Sequence, residues 1–161
     1  MTIRFILNGE DVEVSVEANK RLVTILRENF FLVQAKSGCL SGGCGACSVF
    51  FNGAVSPSCL IPAFRVQGSE IVTLEGFSQT DEYQDIIAGF SGAGVESCGY
   101  CDTGKILVSE LLLEQNIRPD REEFYRAFSG IRCRCTEPEH LYAGILAAGE
   151  IRQRRIYGRS S

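Results

Sequence analysis

The sequence predicts an α+β chain in two parts: a sheet-and-helix domain over residues 1–78 and an all-α four-helix-bundle domain over residues 79–161. Three observations predict it. Two Asn-Gly pairs, Asn8-Gly9 and Asn52-Gly53, sit between alternating apolar and polar stretches, the strongest short hairpin signal. Beyond about residue 78 the apolar period changes from strand-like to helix-like. The eight cysteines divide into two sets of four, one in each part.

Taken in order, residues 2–7 and 11–16 form the first hairpin, and residues 21–30 carry Leu22, Ile25, Leu26 and Phe30 at helical spacing. The glycine-rich stretch KSGCLSGGCGAC comes next as a loop. SVFFNGAVSPS then reads as a second hairpin and EIVTLEG as a last strand. In the second part, Tyr83, Ile86, Ile87 and Phe90 recur at i, i+3, i+4, i+7, and Gly92 and Gly94 stop that helix. Residues 104–116 carry Leu107, Val108, Leu111 and Leu112. Residues 121–129 start at Asp120 with Glu123 three along, and residues 137–157 start at Thr136 with Pro138 in the first turn and Glu139 three along. In the last helix Arg152, Arg154, Arg155 and Arg159 read as a solvated turn complementing the helix dipole, with docking to an acidic partner as the other reading.

Composition narrows the class. Sixteen basic against twenty acidic residues give a net charge of -4, which speaks against nucleic acid as the main partner. No apolar run approaches the roughly 20 residues of a membrane span. The first residues pass straight into a strand pattern with no leader, so a cytoplasmic location is expected, and reduced thiols with it.

Reduced thiols direct the eight cysteines to metal rather than to disulfides. Cys39, Cys44, Cys47 and Cys59 follow C-x4-C-x2-C with a fourth cysteine eleven residues on, the plant-type [2Fe-2S] spacing. Three ligands from one short loop need unusual backbone angles, which Gly38, Gly42, Gly43 and Gly45 supply. Zinc is the alternative, although its sites favour paired cysteines or histidines. Cys98, Cys101, Cys133 and Cys135 form C-x2-C and C-x-C separated by 31 residues; read alone they also suit four-cysteine zinc. Arg132 and Arg134 offset thiolate charge or are simply solvated. His140 reads as an exposed helix residue and not as a ligand.

KSGCLSGGCGAC, Cys59, CGYC at 98–101 and SGIRCRC at 129–135 together resemble the iron-sulfur small subunit of the xanthine dehydrogenase type of molybdenum hydroxylase, over nearly the whole chain. The resemblance implies a β-grasp, plant-type ferredoxin domain, a helical [2Fe-2S] domain, and two [2Fe-2S] clusters held by the eight cysteines. It implies an electron-transfer subunit with no substrate-binding active site of its own. The expected partners are a molybdopterin-binding large subunit beside the second cluster and an FAD-binding medium subunit beside the first. The substrate would be a purine or another N-heterocycle held on another chain. Around the second set the sequence departs from the family pattern. Ser97 stands where the family has the Gln that contacts the pterin, Asp102-Thr103 replaces Thr-Pro, Gly130-Ile131-Arg132 replaces Gly-Asn-Leu, and Thr136-Glu137-Pro138 replaces Thr-Gly-Tyr. Asp102 and Glu137 are expected to add negative charge there. In the first loop Leu40-Ser41 replaces Gly-Glu. Two other readings stand beside this one: a two-cluster redox module serving a diverged partner without an ordinary molybdopterin site, and a zinc-stapled interaction module.

Overall fold

A computed structural model describes residues 1–158; Arg159 lies outside the described residues. Strands β1 (Thr2–Leu7) and β2 (Glu10–Ser15) pair antiparallel. Asn8 and Gly9 turn between them with φ of 51° and 85°, the left-handed pair that a two-residue turn needs. Helix α1 (Leu22–Asn29) buries Leu22, Val23, Ile25 and Leu26 against the sheet. After the glycine-rich loop come β3 (Ser48–Phe51) and β4 (Ala54–Pro57), joined by Asn52 and Gly53 in the same left-handed pair, and then the short β5 (Glu70–Val72). The sheet order is β2-β1-β5-β3-β4, with β5 parallel to β1 and antiparallel to β3. This mixed sheet wrapped on one helix is the expected β-grasp.

Both hairpin asparagines also bind across the sheet. The Asn52 carboxamide oxygen accepts the Glu70 amide at 2.8 Å, and that of Asn8 accepts the Thr73 amide at 2.8 Å. Thr73 is the N-cap residue of a one-turn helix, α2 (Leu74–Phe77), in the segment expected to continue as strand. Leu74 and Phe77 belong to the core of the helical unit.

Four longer helices build that unit: α3 (Asp81–Gly92), α4 (Asp102–Gln115), α5 (Arg121–Ala127) and α6 (Pro138–Tyr157). Asp120 and Glu123 form the expected reciprocal cap of α5. The expected Thr136 cap of α6 is not made: Glu137 is the capping residue and caps with backbone only, while Thr136 is buried with its hydroxyl donated to the Glu96 carbonyl. The α3 and α6 backbones approach closely, because Gly89 lies where any Cβ would fall 2.5 Å from the Ala148 nitrogen. α4 is enclosed on nearly every side, with Thr103 through Glu110 all buried. Thr103, Lys105, Ser109 and Glu110 in that stretch are polar or charged, so each needs a partner inside the protein.

The basic tail differs from expectation. Arg152 is buried, its guanidinium donating to Asp85 at 3.2 Å and to Glu110 at 2.7 Å. Arg155 donates to Asp85 at 2.8 Å, and only Arg154 of the three described arginines is a largely solvated side chain. The cause lies on the facing helices, where Asp85 of α3 and Glu110 of α4 are buried and need a counter-charge.

Candidate metal centres

The first thiol set is assembled by backbone. Between α1 and β3 the chain doubles back so that the Lys36 amide bonds the Ala46 carbonyl at 2.9 Å. Within that arc Gly42 and Gly45 take positive φ of 79° each. Gly43 does not; Leu40, at φ 57°, takes the left-handed position instead. Gly38 is needed for space, since a Cβ there would stand 2.7 Å from the Cys44 sulfur.

These turns aim amides at sulfurs. Cys39 Sγ accepts from the Ser41 and Gly43 amides at 3.4 and 3.2 Å, and Cys44 Sγ from the Cys39 and Ala46 amides at 3.5 and 3.4 Å. Cys47 Sγ accepts the Cys59 amide at 3.4 Å, which ties the distant fourth cysteine to the loop. Ser58 fixes the join, its hydroxyl donating to the Cys47 carbonyl at 2.6 Å. Hydrogen bonds from Ser41 and Gly43 lower exposed Cys39 to about 6, a ready thiolate. Burial pushes Cys47 up to about 11, so it ionises only against a positive centre.

The second set gathers at the mouth of the helical unit. Cys98 and Cys101 precede α4, with Cys101 as its N-cap residue, and Cys133 and Cys135 lie in the break before α6. Cys98, Cys101 and Cys135 place their sulfurs within 4.8 Å of one another, and Cys133 Sγ is 3.2 Å from Cys135 Sγ. All eight cysteines are unpaired as disulfides. Burial drives Cys101 up to about 12, whereas hydrogen bonding from Cys133 draws Cys135 down to about 6. A buried thiol beside an easily ionised one suits a bound cation. In the second set three thiols lie at metal-ligand spacing with Cys133 beside Cys135, and in the first set backbone amides turned to Cys39, Cys44 and Cys47 suit thiolate ligands.

Arg132 and Arg134 are exposed, as is His140 on α6, and none of them enters the thiol group. The residue that sequence reasoning missed is Lys105. It is fully buried, with Nζ 3.1 Å from Asp102 Oδ1, 2.9 Å from Thr136 Oγ1 and 4.0 Å from Cys135 Sγ. Burial disfavours its charge, but Asp102 and the neighbouring cysteines more than offset that and raise its pKa. Asp102, expected to add negative charge, is thus paired with Lys105; its other oxygen accepts the Ser97 hydroxyl. The signal available was the spacing Asp102-x-x-Lys105 in the first turn after Cys101.

The two thiol loops touch each other. Thr103 donates to the Gln34 carbonyl at 2.8 Å, Tyr100 donates to the Ser37 carbonyl at 3.4 Å, and Ile131 packs over Gly45. A mixed sheet on one helix, a helical unit behind it, and a four-thiol set on each define a two-centre iron-sulfur protein.

Comparison with known proteins agrees. Residues 5–70 match the family model of the 2Fe-2S iron-sulfur cluster binding domain, and residues 73–146 that of the [2Fe-2S] binding domain. The nicotinate dehydrogenase small FeS subunit of Eubacterium barkeri is 41% identical over 150 residues, covering 93% of this chain and 96% of that one. A probable xanthine dehydrogenase subunit of Bacillus subtilis is 32% identical over 155 residues, 96% of this chain and 87% of that one. In the crystal structure of quinoline 2-oxidoreductase from Pseudomonas putida 86, one chain superposes with a TM-score of 0.82 at 34% identity, with 96% of each chain covered. The chain belongs to the family of two-cluster iron-sulfur small subunits of the xanthine dehydrogenase type of molybdenum hydroxylase.

Proposed function

We propose that this chain is the internal electron relay of a multi-subunit hydroxylase, with Cys39, Cys44, Cys47 and Cys59 holding one [2Fe-2S] cluster and Cys98, Cys101, Cys133 and Cys135 the other. Each cluster, when bound, accepts and releases one electron. The observation that carries the reading is the contact of the two thiol loops through Gln34–Thr103, Ser37–Tyr100 and Gly45–Ile131. Each set also keeps one thiol at the surface, Cys98 in the second and Cys39 in the first, with Leu60 half-exposed beside Gly42. In this reading Cys98 faces a molybdopterin-binding large subunit and Cys39 faces an FAD-binding medium subunit, so the chain provides entry, transfer and exit. A cytoplasmic location belongs to the same reading, because eight thiols kept for metal need a reducing compartment. No helix among the described residues is long and apolar enough to cross a membrane. The division of labour assigns residues 1–78 to the first centre and 79–161 to the second. The names of the nicotinate and quinoline relatives point to an N-heteroaromatic substrate on the large subunit.

A second reading, a relay serving a partner without an ordinary molybdopterin site, draws on one observation: the Ser97 hydroxyl is turned inward to Asp102 rather than outward to a cofactor. Anaerobic purification decides between them. Two distinct [2Fe-2S] EPR signals, with a molybdopterin-containing chain co-purifying and nicotinate or quinoline hydroxylated, supports the first reading. Two signals without molybdopterin selects the second, and zinc in place of iron defeats both.

A further inference from the structure

Lys105 has an ammonium group removed from water, and the next two buried residues of its helix, Ile106 and Leu107, are apolar. Burying such a charge is costly unless its contacts return the lost hydration. The contacts are directional. Thr136 gives its proton to the Glu96 carbonyl, so its oxygen is free to accept from Lys105. Asp102 takes one oxygen to Lys105 and the other to Ser97, whose hydroxyl oxygen in turn accepts the Gly99 amide at 3.2 Å. The carboxylate is thereby shared between Lys105 and Ser97, while the ammonium also reaches Cys135 Sγ at 4.0 Å. The pair sums to zero charge, yet its ammonium end is in contact with a ligand sulfur.

We infer that Lys105 is the positioning cation of the second centre: held by Asp102 and Thr136, it stabilises the added electron and sets that centre's reduction potential above what four thiolates alone would give. The inference rests on the proposed ligation by Cys98, Cys101, Cys133 and Cys135. A [2Fe-2S] cluster held by these four thiols would gain one negative charge on taking up one electron, with no bond made or broken. A fixed positive charge a few ångströms away favours that change, because net charge and hydrogen bonding to sulfur are what tune such potentials. Placed on the electron-receiving centre, it would bias the electron towards this chain.

The test is a dithionite titration of the full chain followed by EPR, with iron counted in each variant. Lys105→Met, of similar length and uncharged, should shift the second signal to lower potential and leave the first in place; Lys105→Arg should restore part of the shift. Asp102→Asn should move the second signal to higher potential, because Lys105 is then uncompensated. If Lys105→Met fails to hold iron in the second set, Lys105→Gln, polar and uncharged, takes its place and should show the same downward shift. Full iron with an unmoved second potential in Lys105→Met overturns the role of Lys105, as does an equal movement of both signals. Lack of a second iron signal in the unmodified chain overturns the ligation beneath it instead.

Discussion

The carbonyl oxygen of Gly45 lies 2.6 Å from where a Cβ on Gly104 would stand, and its carbonyl carbon 3.1 Å away. Gly45 sits between two thiols of the first set, and Gly104 is three residues past Cys101 of the second. The contact is backbone on backbone. Ser48 holds the same carbonyl through its amide at 3.2 Å and its hydroxyl at 2.8 Å, so the oxygen cannot turn aside. Two glycines thus fix how near the two centres come.

Gly104→Ala should force the loop and α4 apart. Overpacking of this kind costs about 1–3 kcal/mol, or roughly 2–12 °C in melting temperature for a chain of this size. Because the clusters would remain on separate loops, their iron content should persist while the magnetic interaction between their reduced EPR signals weakens. An unchanged interaction would show that the closeness is set elsewhere, at Thr103–Gln34 or Tyr100–Ser37.

Arg152→Met should destabilise the protein by about 3–5 kcal/mol, because it leaves the buried carboxylates of Asp85 and Glu110 short of their counter-charge. Arg154→Ala, three-quarters exposed with one loose contact to Glu150, should stay within about 0.5 kcal/mol of the parent. Chemical unfolding of both variants checks the contrast. Loss of partner assembly on replacing Arg152, Arg154, Arg155 and Arg159 together by alanine would then report unfolding and not lost docking.

The difference between these two arginines was not legible in the sequence, whereas much else was. Period-2 and period-3.6 patterns found the two hairpins, α1 and α3, because each of those elements has a wet side that breaks its apolar run, α4 showed through Leu107, Val108, Leu111 and Leu112, and start signals marked α5 and α6. Cysteine spacing found both thiol sets for a different reason: a loop with three inward thiols needs glycine at fixed offsets, and that requirement is local. What escaped was non-local. α4 is surrounded by β3, α3 and α6, so Lys105 and Glu110 occupy positions no pattern distinguishes from solvent-facing ones. Arg152 looked like a helix-end cation because its partners lie 67 and 42 residues away on other helices. α2 is a single turn, too short to carry a period.

Cys135→Ser should remove roughly half the iron and leave the signal of the first centre, since the two sets lie in separate loops. Cys47→Ser should do the converse. Iron and acid-labile sulfide assays with EPR measure both. Loss of both signals in either variant would mean that the loops form only together.

The last prediction concerns acid. Burial raises the pKa of Glu110 above its ordinary 4.5, with the hydrogen bond and charge of Arg152 pulling the other way without cancelling it. A carboxyl with a raised folded pKa binds more protons folded than unfolded between the two values. Its contribution therefore becomes less favourable as pH rises through that window, with the full penalty present above the folded pKa and none below the unfolded one. This is opposite in sign to the usual paired carboxylate. Glu110→Gln should remove that slope, so the stability difference between parent and variant should change steadily from about pH 5 upward and then level off. Chemical unfolding midpoints across that range measure it. Parallel profiles for the two proteins would show that Arg152 compensates the carboxylate fully, and that burial does not govern Glu110.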